Sequence, residues 1–167
     1  HSFSRRQRQM CIRDSYFTYA KPEIDNNDRW AAGGIDIEIA EPTERILTRY
    51  EGKALFLEDP KVMENPSEAF KNNPRTMIRI DLEHVAVGPL YGHVGEPDDG
   101  NEFARSHTEQ HMKVSGKLML AGEELDFSGW GLRDHSWGPR FWQSTPSYRW
   151  ITCNFNNNLG LILTTNG

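Results

Sequence analysis

Several features that would assign a function directly are missing from this 167-residue sequence. No run of apolar residues approaches the roughly twenty that a transmembrane helix needs. The chain also lacks a phosphate-binding glycine loop, a Gly-x-Ser-x-Gly nucleophile elbow and a Cys-x-x-Cys pair. Nucleophilic catalysis therefore has no support in the sequence, and we expect neither a cofactor nor a transmembrane segment.

The first fifteen residues stand apart from the rest of the chain. Residues 5–15 read RRQRQMCIRDS, which resembles the in-frame translation of a common transposon-based sequencing adapter, and all eleven codons fit. A cluster of four arginines would otherwise indicate a basic arm that binds nucleic acid or a membrane. Because the codon match is complete, we interpret residues 1–15 as a non-native tail and expect the natural chain to begin no earlier than Tyr16.

Basic residues are scarce once this tail is set aside. The tail holds four Arg and one Asp, so residues 16–167 carry 15 basic and 23 acidic side chains and a formal charge of −8. Such a surface repels phosphate backbones, and we expect no nucleic-acid partner. Cys153 is the one cysteine outside the tail; it cannot form an internal disulfide, which is typical of a reducing compartment such as the cytoplasm.

Alternating apolar residues predict an all-β protein with mostly antiparallel strands. Ile35, Ile37 and Ile39 alternate with acidic residues, the pattern of a half-buried strand. The same reasoning predicts one short helix at 60–72. It also predicts tight turns at 51–53, 121–123 and 156–158, and strands at 45–50, 54–57, 77–87, 112–120, 147–154 and 159–164. Strands at this spacing are typical of a barrel or a sandwich.

The segment Gly95–Gly100, GEPDDG, is the best boundary between domains because it is acidic, apolar-free and rich in turn formers. We therefore expect one unit at 16–98 and a second at 99–167. The last apolar strand has no strand after it to pair with, so we expect the sequence to be a fragment truncated at both ends.

The segment Gly129–Trp142, GWGLRDHSWGPRFW, concentrates aromatic and titratable groups. The candidate catalytic residues are His135 as a proton donor and Asp134 as its orienting partner. The candidate substrate-binding residues are Trp130, Arg133, Trp137 and Trp142. In a strand, residues 133, 135 and 137 share one face and residue 134 lies on the other, so the acid–base pair needs a bulge or a strand end. The alternative is an Arg–Asp pair with tryptophans that close a barrel end.

The segment His107–His111, HTEQH, places His107, Glu109 and His111 on one strand face. These side chains can bind metals, and His135 could complete the set. The same face continues with Lys113, Ser115 and Lys117, whereas the other face is apolar. This pattern favours a solvated face, and we therefore expect no metal.

Three motifs together resemble a known family: His107-x-Glu109-Gln110, Val114-x-Gly116, and Gly131-x-Arg133-Asp134-His135-Ser136-Trp137-Gly138-Pro139-Arg140. They are similar to the hydroxyneurosporene synthase (carotenoid 1,2-hydratase)-like proteins. The match covers residues 105–142 and, more loosely, 59–74. The resemblance implies tandem lipocalin-like β-barrels, with the second barrel truncated here.

The resemblance also implies a reaction. Hydratases of this family add water to an isoprenoid double bond, which requires a proton donor and a site that stabilises a carbocation. His135 and Trp137 occupy the matching motif positions. These enzymes also use a tyrosine and an aspartate further along the chain, but no Tyr or Asp follows Trp150 in this sequence. Two functions therefore stay open: acid-catalysed hydration, or a related reaction, of an apolar terpenoid- or steroid-like substrate, and a non-catalytic carrier of a hydrophobic small molecule.

Overall fold

The computed structural model of the chain describes residues 23–94, 106–138, 147–156 and 158–166. The described strands are β1 (Glu23–Asn26), β2 (Arg29–Ala32), β3 (Ile35–Glu41), β4 (Arg45–Leu55), β5 (Arg75–Ala86), β6 (Tyr91–Val94), β7 (Ser106–Leu120), β8 (Glu123–Trp137), β9 (Tyr148–Asn156) and β10 (Leu159–Asn166). A 3₁₀ turn (Pro60–Glu64) and the helix α1 (Pro66–Asn72) connect β4 to β5. The predicted all-β class with one short helix is confirmed.

Eight of these strands form one sheet in which most chain neighbours pair, but β5 pairs with β7 and not with β6. The order is β1-β2-β3-β4-β5-β7, and β8 pairs with β7. β6 pairs antiparallel with the start of β7, where Tyr91 opposes Glu109 and Val94 opposes Ser106. No pairing between the described strands joins β1 to β8 and closes a barrel. β9 and β10 form a separate antiparallel hairpin, with Ile162 opposite Thr152.

Two predicted turns are confirmed and one is wrong. β7 and β8 are joined by Ala121 and Gly122, which have φ values of 52° and 90°, the left-handed geometry of a tight hairpin. The turn between β9 and β10 is also where we expected it. The expected turn at 51–53 is absent, because β4 continues to Leu55 and the Glu51 N–H donates to the Gly34 carbonyl across the sheet at 3.0 Å.

The predicted helix at 60–72 is interrupted at Asn65. Asn65 has φ −118° and ψ 87°, outside the helical region, and Pro66 starts α1. A proline disfavours helical geometry in the residue before it, so one continuous helix cannot form across this step. Asp59 and Asn65 cap the two pieces by accepting backbone N–H groups of Lys61 and Glu68. No described helix is long and apolar enough to cross a membrane.

The described residues form two compact units built from alternating segments. Unit 1 contains 23–38, 48–82 and 116–126, and unit 2 contains 39–47, 83–94, 106–115, 127–138, 147–156 and 158–166. In unit 1, Tyr50, Ala54 and Ile78 form a small apolar cluster against which Ile80 packs. The expected boundary at Gly95–Gly100 lies outside the described residues, and the division at residues 98 and 99 stays a prediction.

Unit 2 is organised around the first half of β7. Met112 and Val114 are buried, but so are four polar residues of the same strand, Ser106, Thr108, Glu109 and Gln110. Gln110 Nε2 donates to the carbonyls of Thr43 and Gly88 at 2.9 and 3.0 Å and so ties two chain segments to β7. Buried polar groups need such partners, because each lost hydrogen bond costs about 1–3 kcal/mol.

Gly116 provides a test of how β5 and β7 pair in unit 1. Its φ is +150°, and a Cβ atom there would lie 2.0 Å from the Asp81 carbonyl oxygen. We expect Gly116→Ala to lower the free energy of unfolding by more than about 1 kcal/mol, because both backbone conformation and strand spacing must change. Gly88→Ala is the matched control, since nothing lies within 4 Å of that position. Urea denaturation of both variants measures the difference, and equal stabilities would contradict the close pairing.

Candidate functional site

The face of β8 that carries Arg133, His135 and Trp137 forms as the strand alternation predicts. The rings of His135 and Trp137 lie 4.8 Å apart between centroids with a tilt of 36°. Arg133 Nη2 lies 3.3 Å from His135 Nδ1, and Arg133 Nη1 donates to Thr108 Oγ1 at 3.2 Å. These three side chains therefore form one contiguous row. His135 is exposed and Trp137 is 41% exposed, so the row borders solvent.

Asp134 lies on the opposite face and has a different partner from the one expected. His107 Nε2 on β7 lies 2.7 Å from Asp134 Oδ1, a hydrogen bond in which the ring N–H donates to the carboxylate. The histidine–carboxylate pair of this site therefore joins two strands, β7 and β8.

Glu109 is the buried member of the same cluster. It is only 6% exposed, and its Oε1 lies 4.0 Å from His107 Nε2. Trp150 Nε1 on β9 donates to Glu109 Oε1 at 2.7 Å. The expectation of a solvated face is wrong at Glu109, and His107 and His111 on the same face are half-buried. The β9–β10 hairpin covers this part of β7, and a Cβ atom at Gly160 would meet the His111 ring at 2.6 Å.

Three potential metal ligands converge here. One atom from each of His107, Glu109 and Asp134 can be chosen so that all lie within 4.8 Å of one another, the one such group among the described residues. We refer to these three residues as the acidic histidine cluster. Neither His111 nor His135 belongs to this cluster, which shares His107 and Glu109 with the set considered from sequence and adds Asp134.

A pocket of about 450 Å³ lies beside this cluster, which we call the hairpin groove. Its wall is formed by the β5–β6 connection, β7 and the β9–β10 hairpin: Val87, Gly88, Pro89, Tyr91, Glu109, Gln110, His111, Asn154, Asn156, Asn158, Leu159, Gly160, Leu161 and Ile162. Glu109 belongs both to this wall and to the acidic histidine cluster. The groove therefore combines apolar side chains, three asparagines and one buried carboxylic acid.

Three of the residues predicted to bind substrate, Trp130, Arg133 and Trp137, do not line the hairpin groove. Trp130 packs elsewhere, with Lys113 Nζ 4.4 Å from its ring centroid in a cation–π contact. Arg133 and Trp137 form the row with His135, and Trp142 lies outside the described residues. The residues that sequence reasoning missed are Trp150 and the asparagines of the hairpin, which were interpreted only as a strand and a turn.

Comparison with known proteins defines a family without a known activity. The fold and the cluster describe an all-β protein with a polar site on a long antiparallel strand. A family model described as "Domain of unknown function (DUF7064)" matches residues 4–167, and the chain belongs to this family. No curated protein matches the chain, and no solved structure does. The match includes residues 5–15, whose origin from an adapter stays a prediction.

Gly131 on β8 packs closely against Val114 and lies near the half-buried His84. A Cβ atom there would lie 2.9 Å from Val114 Cγ2 and 3.9 Å from His84 Nδ1. His84 Nε2 is buried and has no hydrogen-bond partner among the described residues. Burial of the ring lowers the pKa of His84 from its ordinary value of 6.5.

This lowered pKa predicts how stability depends on pH. Because the unfolded chain binds a proton more readily at His84, the stabilisation is complete above pH 6.5 and is lost as the pH falls through the lower, folded-state pKa. We expect His84→Gln to reduce the loss of unfolding free energy between about pH 7 and about pH 5. Denaturation curves at several pH values measure this slope. Identical slopes for both proteins would contradict the lowered pKa of His84.

Proposed function

We propose that the chain is part of a hydroxyneurosporene synthase-like protein that binds a small molecule with an apolar body in the hairpin groove. The proposed reaction is acid-catalysed hydration of a terpenoid- or steroid-like substrate, or a closely related step. The observation that carries the proposal is the position of Glu109. This buried carboxylic acid belongs to the groove wall and lies 4.0 Å from a histidine that is itself bonded to Asp134.

The composition of the groove supports a ligand that is mainly apolar. Leu159, Leu161, Ile162 and Val87 contribute apolar surface, and Tyr91 adds an aromatic ring whose face can stabilise a desolvated cation. Apolar walls with a small number of polar groups are typical of small-molecule sites. The formal charge of −8 outside residues 1–15 favours such a ligand over nucleic acid.

Glu109 can perform the proton transfers that hydration needs. The Trp150 N–H donates to Oε1, which leaves Oε2 to carry a proton. Transfer of this proton to one alkene carbon makes a carbocation at the more substituted carbon. Water then adds to the cation and returns a proton to Glu109, so the acid is regenerated. His107 and Asp134 lie next to Glu109 and are hydrogen-bonded to each other, and Asp134 adds negative charge near the cation.

The lipocalin-like fold is part of the same proposal. From β1 to β5 each strand pairs with the next one in the chain, which is the pairing of up-and-down barrels, whereas β5 pairs with β7 and β6 pairs with the start of β7. We propose that the sheet is part of a lipocalin-like barrel in a tandem arrangement, as the resemblance implies. A second candidate function follows from the apolar groove wall: a lipocalin-like carrier would use the same groove without chemistry.

The test is product formation from a panel of terpenoids and steroids, with ligand binding measured in parallel. We expect Glu109→Gln to lower turnover by about 100-fold or more while affinity changes by less than about threefold, because proton donation acts in the transition state. Glu124→Gln is the matched control, since Glu124 is exposed, pairs with Lys117 and is absent from the groove wall. Saturable binding without product in the wild-type chain would support the carrier instead.

A His135→Gln variant tests the sequence-based assignment of the acid. His135 lies on the opposite face of β8 from Asp134 and is absent from the groove wall, so we expect turnover within about threefold of wild type. Loss of turnover in His135→Gln with full activity in Glu109→Gln would return the proton donor to His135 and overturn the role of Glu109.

A further inference from the structure

We propose that the acidic histidine cluster, His107, Glu109 and Asp134, binds a divalent transition-metal cation, for which Zn²⁺ is the probe. This inference goes beyond the proposed function, because cation binding requires no particular substrate and no turnover. It rests on three side chains from two strands whose ligand atoms point to one place.

The distances between the ligand atoms suit one small cation. His107 Nε2 is 2.7 Å from Asp134 Oδ1 and 4.0 Å from Glu109 Oε1, and all three atoms lie within 4.8 Å of one another. Ligands about 2.0–2.2 Å from a tetrahedral Zn²⁺ are about 3.4 Å apart. Small side-chain rotations that separate His107 from Asp134 and bring Glu109 closer therefore produce the required triangle.

The ligand types favour a transition metal over Mg²⁺ or Ca²⁺. An imidazole nitrogen with two carboxylate oxygens suits Zn²⁺ and its neighbours, whereas Mg²⁺ prefers oxygen ligands and retains water. Two carboxylates also balance the charge of the cation. A cation would further relieve the repulsion between the buried Glu109 and Asp134 when both are ionised.

The surroundings of Glu109 supply a second, independent observation. Metal-binding carboxylates are themselves held by hydrogen bonds from neighbouring groups. Trp150 Nε1 provides this bond at 2.7 Å, and Glu109 is buried by the hairpin that carries Trp150. At the other end of the cluster, the Asp134 side chain is 43% exposed. A cation can therefore reach the cluster from solvent and keep one position for water, as three-ligand sites do.

A bound cation and the proton on Glu109 exclude each other at the acidic histidine cluster. A bound cation needs His107 Nε2 unprotonated and Glu109 ionised, whereas the proposed hydration needs the Glu109 proton. Excess Zn²⁺ therefore inhibits hydration if both proposals hold. Because cation binding is measured without substrate, failure of one proposal leaves the other intact.

Isothermal titration of the 167-residue chain with Zn²⁺, after treatment with a chelator, tests the proposal. We expect one site per chain, and a rise in melting temperature with Zn²⁺ that Mg²⁺ does not produce. Asp134→Asn and His107→Gln should each weaken Zn²⁺ binding at least about 100-fold, and Trp150→Phe about 10- to 100-fold through the loss of its support for Glu109. Asp134 is exposed, so its variant is expected to fold, and circular dichroism checks this.

His135→Gln is the matched control, because it removes a histidine adjacent in sequence to Asp134 but outside the cluster. We expect its Zn²⁺ affinity to equal that of the wild-type chain. Absence of stoichiometric Zn²⁺ binding in the wild-type chain would overturn the proposal. So would binding that survives Asp134→Asn and His107→Gln unchanged, since it would belong to other histidines.

Discussion

The hydrogen bond from Trp150 Nε1 to Glu109 Oε1 joins the β9–β10 hairpin to the long strand β7. A buried carboxyl group without a hydrogen-bond partner is costly, so Glu109 is stable inside the protein only where a donor reaches it. Trp150 supplies this donor and at the same time brings the hairpin over β7. We expect the hairpin groove and the burial of Glu109 to depend on this contact.

The neighbouring buried polar residues of β7 also have hydrogen-bond partners. Gln110 donates to two backbone carbonyls, and Thr108 Oγ1 accepts from Arg133 and donates to the His135 carbonyl. The start of β7 is therefore stabilised by polar contacts on both faces rather than by apolar packing alone. Networks of this kind fix side chains in one arrangement, which suits a site that must hold several titratable groups in register.

Local patterns in the sequence predict much of the fold. The alternation of Ile35, Ile37 and Ile39 predicts β3, and strand parity predicts that Arg133, His135 and Trp137 share a face. The prediction of one helix over 60–72 was wrong at Asn65, because it did not take into account that a proline restrains the residue before it. Each of these features depends on residues close together in the chain.

The candidate site depends on contacts between distant residues, and this explains why sequence reasoning missed part of it. Asp134 stands beside His135 in the sequence, but its partner is His107, 27 residues away. The His107–His111 segment has the composition of a solvated strand, and only the packing of the hairpin buries Glu109. A polar side chain is expected to be exposed only where no other element covers it. Glu109 is covered by Trp150, which lies 41 residues further along the chain.

A double-mutant cycle between Trp150→Phe and Glu109→Leu tests most directly whether Trp150 holds the buried carboxylate. Each single change leaves the other partner without its bond, so we expect each to lower the free energy of unfolding by about 1–3 kcal/mol. The double variant replaces both partners by apolar groups, and its loss should be smaller than the sum by about 1 kcal/mol or more. Losses that add within about 0.5 kcal/mol would show that the two residues are independent and would contradict the account.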